Sequence, residues 1–167
     1  MPSVAAFLHS LEASSWGLFI HNKVWAFTTV EVVHVFAVSL LLGTIMIVDL
    51  RLLGLASAKR PFTDLARGVL PFTWAAFVVV VAAGSLLFIS RATEYVASPV
   101  FWTKMALIVL AGINMIIFEF VTVRGVEKWN LDASPPPAAR LAGAVSISCW
   151  ILVIALGRLI GFTLQGD

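Results

Sequence analysis

The chain alternates between long apolar runs and shorter polar segments, and four of the runs are long enough to cross a membrane. They extend over residues 24–50, 70–90, 100–123 and 141–164. A helix of roughly 20 apolar residues, rising about 1.5 Å per residue, spans the ~30 Å hydrocarbon core of a bilayer. We therefore predict an all-α fold, an integral membrane four-helix bundle that forms a single domain over residues 1–167.

The segment before the first span, residues 3–22, is only moderately apolar and contains no run that could cross a bilayer. Val4, Leu8 and Leu11 fall near one helical face, which predicts an N-terminal interfacial amphipathic helix. Because no Lys or Arg precedes Lys23, the segment lacks the basic start of a signal peptide, and we expect the first span to direct insertion. Aromatic residues typical of the headgroup boundary follow here: Trp16, Phe19 and Trp25.

Prolines indicate where the helices begin. Pro61 and the acidic residue Asp64 predict a helix start near Thr63. Pro71 is expected in the first turn of the second span, where a missing N–H costs little. The segment 134–137 contains three consecutive prolines and cannot be helical throughout, so it separates the third span from the fourth.

Composition supports a membrane location. Hydrophobic residues make up 60% of the chain and charged residues 12%, with a mean hydropathy of +1.01, outside the range of soluble globular proteins. The net charge of +2 and the pI near 9.0 could suggest nucleic acid in a soluble protein. Here the basic residues flank apolar spans and do not interleave with aromatic residues, so we predict the lipid bilayer as the partner and no nucleic acid.

The distribution of Lys and Arg predicts the orientation. The polar connections after the first and third spans are rich in both residues, whereas the opposite side carries Lys23 and Arg91 near its boundary. By the positive-inside rule the basic connections are cytoplasmic. We expect a multi-pass protein of a bacterial inner membrane with both termini in the periplasm. The basic residues of the two connections are Arg51, Lys59, Arg60, Arg67, Arg124, Lys128 and Arg140.

Ionisable residues inside the spans are the candidate site. Glu31 and His34 lie three residues apart on one face of the first span. Lys104 belongs to the third span and Arg158 to the fourth. From the helical rise, Glu31 and Arg158 lie roughly 9 Å below the outer boundary, His34 roughly 14 Å and Lys104 roughly 7 Å. Such residues are expensive in lipid and usually face a bundle interior, a water-filled cavity or a ligand.

Two interpretations of these residues stay open. In the first, His34 is a metal ligand that holds a b-type haem, or a quinone is bound, while Glu31, Lys104 and Arg158 arrange charge around the cofactor for membrane electron transfer. In the second, no cofactor is bound, and Glu31 neutralises Arg158 or Lys104 in an ion-paired core of a non-catalytic subunit or assembly protein. A small transporter ranks third because no broken span or inverted repeat is visible.

The sequence assigns neither a catalytic residue nor a second iron ligand. No nucleophile has a histidine at suggestive spacing, so whether the protein is an enzyme stays open. His9 and His21 precede the first span, so a six-coordinate haem needs His21 folded back, another side chain or a second subunit. A homo-oligomer or a redox partner subunit would supply that second chain. The other candidate ligands are Lys104, Met105 and Met115, and copper bound by His34 with methionines is a weaker alternative.

Other polar and small residues have simpler interpretations. Asp49 and Arg51 close the first span, and Glu119 lies near the end of the third; we interpret them as boundary anchors. Cys149, the single cysteine, excludes an internal disulfide and is expected in the core. Gly157 and Gly161 form a small-xxx-small pair that favours close helix approach.

Several of these residues also carry a resemblance. The chain resembles an uncharacterised family of small four-span bacterial inner-membrane proteins, a domain of unknown function. More distantly, it is similar to the copper-resistance membrane proteins and to the haem-associated membrane protoporphyrinogen oxidases, a resemblance that implies a haem near His34 and Lys104. The segments that match the uncharacterised four-span family are Glu31-Val-Val-His34, Gly43, Asp49-Leu-Arg51-Leu-Leu-Gly54, Phe101-Trp-Thr-Lys104, the Pro-Pro-Pro-Ala-Ala-Arg140-Leu-Ala-Gly143 entry to the fourth span, and Gly157-Arg158. The distant likeness is carried by His34, Gly43 and Lys104 alone.

Overall fold

The structure, a computed structural model, describes residues 3–56, 60–130 and 134–165. That part of the chain is helical and contains no strand, which confirms the predicted all-α class. The α-helices are α1 (Val4–Glu12), α2 (Ser15–Asn22), α3 (Val24–Leu52), α4 (Phe62–Ser90), α5 (Ala92–Ala97), α6 (Pro99–Ile117) and α7 (Pro137–Gln165). A π-helical turn, Phe118–Thr122, and a 3₁₀ helix, Val123–Lys128, follow α6.

Four helices are long and apolar enough to span a membrane: α3, α4, α6 with its continuation to Val121, and α7. At most 17% of the most apolar stretch of each is buried inside the protein. A soluble bundle would bury such residues, so lipid must cover most of this surface. The fold is therefore a four-helix membrane bundle. We call the end that carries α1, α2 and α5 the terminal end, and the end that carries residues 53–56, 60–61, 123–130 and 134–136 the loop end.

The four helices do not pack equally. α3 lies closely against α4 and also contacts α7, and α7 packs closely against α6. The backbones of α4 and α6 stay further apart. Aromatic pairs bridge these two helices near both ends of the bundle. Phe88 stacks on Phe101 with ring centroids 5.6 Å apart at the terminal end, and Phe62 meets Phe118 at 5.8 Å at the loop end.

α4 begins at Phe62, one residue from the predicted start, and continues without a break. Asn130 holds this early start in place. Its carbonyl accepts from the amide of Phe62 at 3.0 Å, and its Oδ1 accepts from the amide of Thr63 at 3.0 Å. Both amides would otherwise lack partners at a helix N-terminus. Pro71 consequently lies inside α4. The sequence had led us to expect it in the first turn of the second span.

Arg51 is fully buried at the loop end, so its interpretation as a boundary anchor was wrong. Its Nε donates to the carbonyl of Arg60 at 3.3 Å, and its Nη2 donates to the carbonyl of Asn130 at 3.1 Å. A hydrogen bond from a charged donor contributes about 1.5–3 kcal/mol. Arg51 therefore ties both connections to α3, above a small core formed by Leu52, Phe62, Ala66, Trp129 and Ala139.

The predicted amphipathic N-terminal segment is present as two short helices, α1 and α2. They meet so closely that a Cβ at Gly17 would lie 2.6 Å from the carbonyl oxygen of Glu12. Ile20 is 2% exposed and fixes α2 to the bundle, whereas α1 buries no residue. α1 is held through Glu12, whose Oε1 accepts from the amide of Thr93 at 2.8 Å and from its hydroxyl at 2.6 Å.

Candidate functional site

His34 lies on the face of α3 that packs against α4. A Cβ added to Gly84 of α4 would lie 3.1 Å from Cε1 of the imidazole and 3.5 Å from Nδ1, so the ring occupies the space that the absent side chain leaves. Nδ1 is buried and has no hydrogen-bond partner. A buried, unpartnered polar atom is rare in proteins and calls for an explanation.

Lys104 repeats this arrangement in the other helix pair. Its Nζ would lie 3.4 Å from a Cβ at Gly157 of α7, so the ammonium group also sits over a glycine. The charge of Lys104 acts on the imidazole of His34, which places both groups in one part of the bundle. The two glycines of the predicted small-xxx-small pair differ. Gly157 lies against Lys104, whereas a Cβ at Gly161 would meet nothing within 4 Å. The structure thus brings His34 and Lys104 together.

Arg158 lies outside this group. Its side chain is exposed, and its guanidinium lies over the ring of Phe162, 4.6 Å from the centroid. Successive residues of a helix are turned by about 100°. Because Gly157 faces Lys104, its neighbour Arg158 is directed to the outer surface. Within the described residues no ion pair links Glu31 to Arg158 or to Lys104, so the ion-paired core of the second interpretation is not formed by them.

Glu31 points to a different place, an open pocket of about 330 Å³ at the terminal end, in which His21, Val24 and Thr28 are exposed. We call it the α2–α3 cavity. His21 lies at its edge, and the Nδ1 of His21 is 3.1 Å from the carbonyl oxygen of Ser90. Since a carbonyl only accepts, Nδ1 carries a proton, and in the neutral tautomer with this proton Nε2 keeps its lone pair. The cavity is lined by His21, Val24, Phe27, Thr28, Glu31 and Arg91.

The sequence pointed to His21 only as a possible second iron ligand and did not indicate Arg91 as a site residue. Val24, Thr28 and Glu31 follow helical spacing, so their shared face could be seen in the sequence. His21 and Arg91 reach this face only because α2 docks on α4 and α4 ends at Ser90. No spacing in the sequence reveals that docking. The guanidinium of Arg91 lies over the ring of Phe27, 5.7 Å from the centroid.

The candidate second ligands are widely separated. His21 is held at the α2–α3 cavity, and Met115 is 42% exposed on α6. Lys104 is the candidate whose charge acts on His34. In the part of the chain that the structure describes, no three His, Cys, Asp or Glu side chains come together as a metal site.

Asp49 is a second buried polar residue whose environment the sequence did not reveal. It is 5% exposed, and the hydroxyl of Ser146 on α7 hydrogen-bonds to its carboxyl group. Its Oδ2 is buried without a partner. Asp49 is thus part of the α3–α7 contact and not a surface anchor. Cys149 is free and buried, as expected for a core residue.

Comparison with known proteins gives one match. A model of a family described as being of unknown function matches residues 9–163, almost the entire chain. No curated protein and no solved structure matches the chain.

Proposed function

The chain belongs to a family of unknown function, DUF6644, and we propose from its geometry that it is a membrane electron-transfer protein that binds a b-type haem through His34. Membership in this family brings no activity with it. The proposal therefore depends on the residues, and one observation carries it: the imidazole of His34 is seated over Gly84 with Nδ1 buried and unpartnered.

The donor fits an iron ligand. Neutral imidazole is the usual axial ligand of haem iron, and the nitrogen that does not coordinate normally carries the proton. Nδ1 faces Gly84 of α4, whereas Nε2 lies more than 4 Å from the position of a Gly84 Cβ. Protonation at Nδ1 leaves the lone pair of Nε2 for the metal. A bound haem would supply one-electron transfer.

Lys104 is the base that we assign to this cofactor. Its charge acts on His34, and it would meet a haem propionate or serve as the second ligand. Arg158, exposed on Phe162, has no such role in our proposal. The distant likeness to haem-associated membrane protoporphyrinogen oxidases, which rests on His34 and Lys104, supports the same two residues.

We further propose that the protein resides in a bacterial inner membrane with its terminal end in the periplasm. Basic residues concentrate at the loop end, where Arg60 and Arg67 are exposed, and cytoplasmic connections carry such residues. His34 then lies in the periplasmic half of the membrane, 10 residues or roughly 15 Å along α3 from Val24.

The absorption spectrum of detergent-purified protein from haem-replete cells tests the haem proposal. We expect a Soret band that His34→Ala removes and that the matched variant His9→Ala retains, because the side chain of His9 is 71% exposed on α1, outside the spanning helices. Far-UV circular dichroism shows whether the variants stay helical. A colourless, fully helical protein that binds no added haemin overturns the proposal.

A second candidate function is a non-catalytic membrane subunit. The observation in its favour is that His34 and Lys104 both fill space left by glycines in facing helices, as packing alone would require. It predicts that His34→Ala lowers thermal stability with no spectral change.

A further inference from the structure

We propose that the α2–α3 cavity binds the head group of a membrane quinone, held between Glu31, Thr28, His21 and Arg91. This inference deepens the electron-transfer role by naming the class of its diffusible redox partner, and in that respect it rests on the proposed function. Binding of the quinone itself needs no haem. The two proposals can therefore fail separately.

The polar groups of the cavity match both redox forms of a quinone. An oxidised ring presents two carbonyl oxygens that accept hydrogen bonds, and Arg91 and the hydroxyl of Thr28 are donors. A reduced ring presents two hydroxyl groups that donate. Glu31 and Nε2 of neutral His21 then accept, because the proton of this ring is on Nδ1, which donates to the Ser90 carbonyl.

The charges argue against two other occupants. A phosphate, free or in a lipid headgroup, would meet the carboxylate of Glu31 inside the cavity. A metal ion would find Glu31 and His21 as ligands but would be repelled by Arg91. A neutral ring that both donates and accepts hydrogen bonds avoids both conflicts.

Size and position also suit a quinone. The volume of about 330 Å³ lies at the lower end of the range for small-ligand sites and holds a single substituted ring. Val24, at the cavity edge, is 81% exposed on a helix that lipid covers, so an isoprenoid tail can leave along an apolar surface. Glu31 lies one turn from His34, roughly 4.5 Å along the axis of α3, which places the ring beside the proposed haem ligand.

A binding titration tests the proposal. Wild-type protein in detergent is titrated with ubiquinone-1 as the probe, and isothermal calorimetry measures the dissociation constant. We expect saturable binding that weakens roughly ten-fold in Thr28→Val and in Glu31→Leu, since each removes a hydrogen bond to the ring. Thr29→Val is the matched control, because the hydroxyl of Thr29 is bound to the carbonyl of Trp25 on the same helix.

The outcomes separate the two proposals. Quinone binding that survives in His34→Ala while the Soret band is lost supports both. Saturable binding by a protein that never holds haem supports the cavity and overturns the haem. Absence of saturable binding to the wild type, or equal affinity in Thr28→Val and Thr29→Val, overturns the quinone site and leaves the haem proposal standing. Should Glu31→Leu fail to fold, the comparison of Thr28→Val with Thr29→Val still tests the quinone site, because valine has nearly the same shape as threonine.

Discussion

The imidazole of His34 occupies the place where a residue larger than glycine at position 84 would put its side chain. Cε1 lies 3.1 Å from the position of a Gly84 Cβ, closer than carbon atoms normally approach. Glycine in place of alanine in a helix interior lowers the stability of the helix by roughly 1 kcal/mol. The space that Gly84 leaves for the imidazole of His34 explains a glycine at this position of α4.

Substitution of Gly84 should displace the imidazole. Gly84→Val puts methyl groups where the ring lies, so we expect His34 to move and the Soret absorbance per protein to fall several-fold. Gly112→Val is the matched control, because a Cβ at Gly112 meets nothing within 4 Å. Absorption spectra and circular dichroism of both variants make the measurement. Full haem content in Gly84→Val would show that the seat of His34 on α4 does not matter to the cofactor.

Arg51 should be the basic residue that the fold tolerates losing least. Arg51→Met removes the charged hydrogen bonds to the carbonyls of Arg60 and Asn130, and we expect the free energy of unfolding in detergent to drop by roughly 3 kcal/mol. Arg67→Met removes the same charge from an exposed position of α4 and should change the free energy of unfolding by less than about 0.5 kcal/mol. Thermal or denaturant unfolding followed by circular dichroism measures both.

Arg158 provides a second comparison for Arg51. Arg158→Leu removes an exposed cation from the face of Phe162 and should cost roughly 1 kcal/mol or less. If Arg158→Leu destabilised the protein as much as Arg51→Met, the assignment of Arg158 to the outer surface would be in error.

The docking of α1 should depend on pH through Glu12. Hydrogen bonds from the hydroxyl and amide of Thr93 hold the pKa of Glu12 below its ordinary value of 4.5. Because the docked state has the lower pKa, docking is stabilised above that ordinary value and the stabilisation is lost as pH falls through the lowered pKa. A spin label on Cys introduced at Val4, an exposed residue, should therefore become mobile in acid.

Glu12→Gln tests the assignment, since a neutral amide cannot titrate. Electron paramagnetic resonance spectra of this variant should show a label whose mobility no longer changes between neutral pH and pH about 3. The control Glu94→Gln, which removes an exposed carboxylate from α5, should keep the transition of the wild type. A transition that persists in Glu12→Gln would assign the pH effect to another group.

The sequence by itself determined the architecture. The length of an apolar run decides whether a helix crosses a bilayer, and this property is local to the run, so four spans and a separate N-terminal segment could be predicted. Proline chemistry also indicated a helix start near Pro61. The spans themselves were predicted too short, because α4 begins at Phe62 and not at residue 70, and α7 begins at Pro137 and not at residue 141. Membership of His34 and Lys104 in one group was also expected from their depth.

Only the tertiary structure decided which polar side chains meet. Depth along a helix says nothing about direction around it, so Arg158 was placed with His34 although one residue of rotation turns it outward. Asn130 caps α4 from 67 residues away, and His21 reaches Ser90 through the docking of α2. Such contacts depend on how helices pack, which is set by the sum of many side-chain fits and leaves no local trace in the sequence.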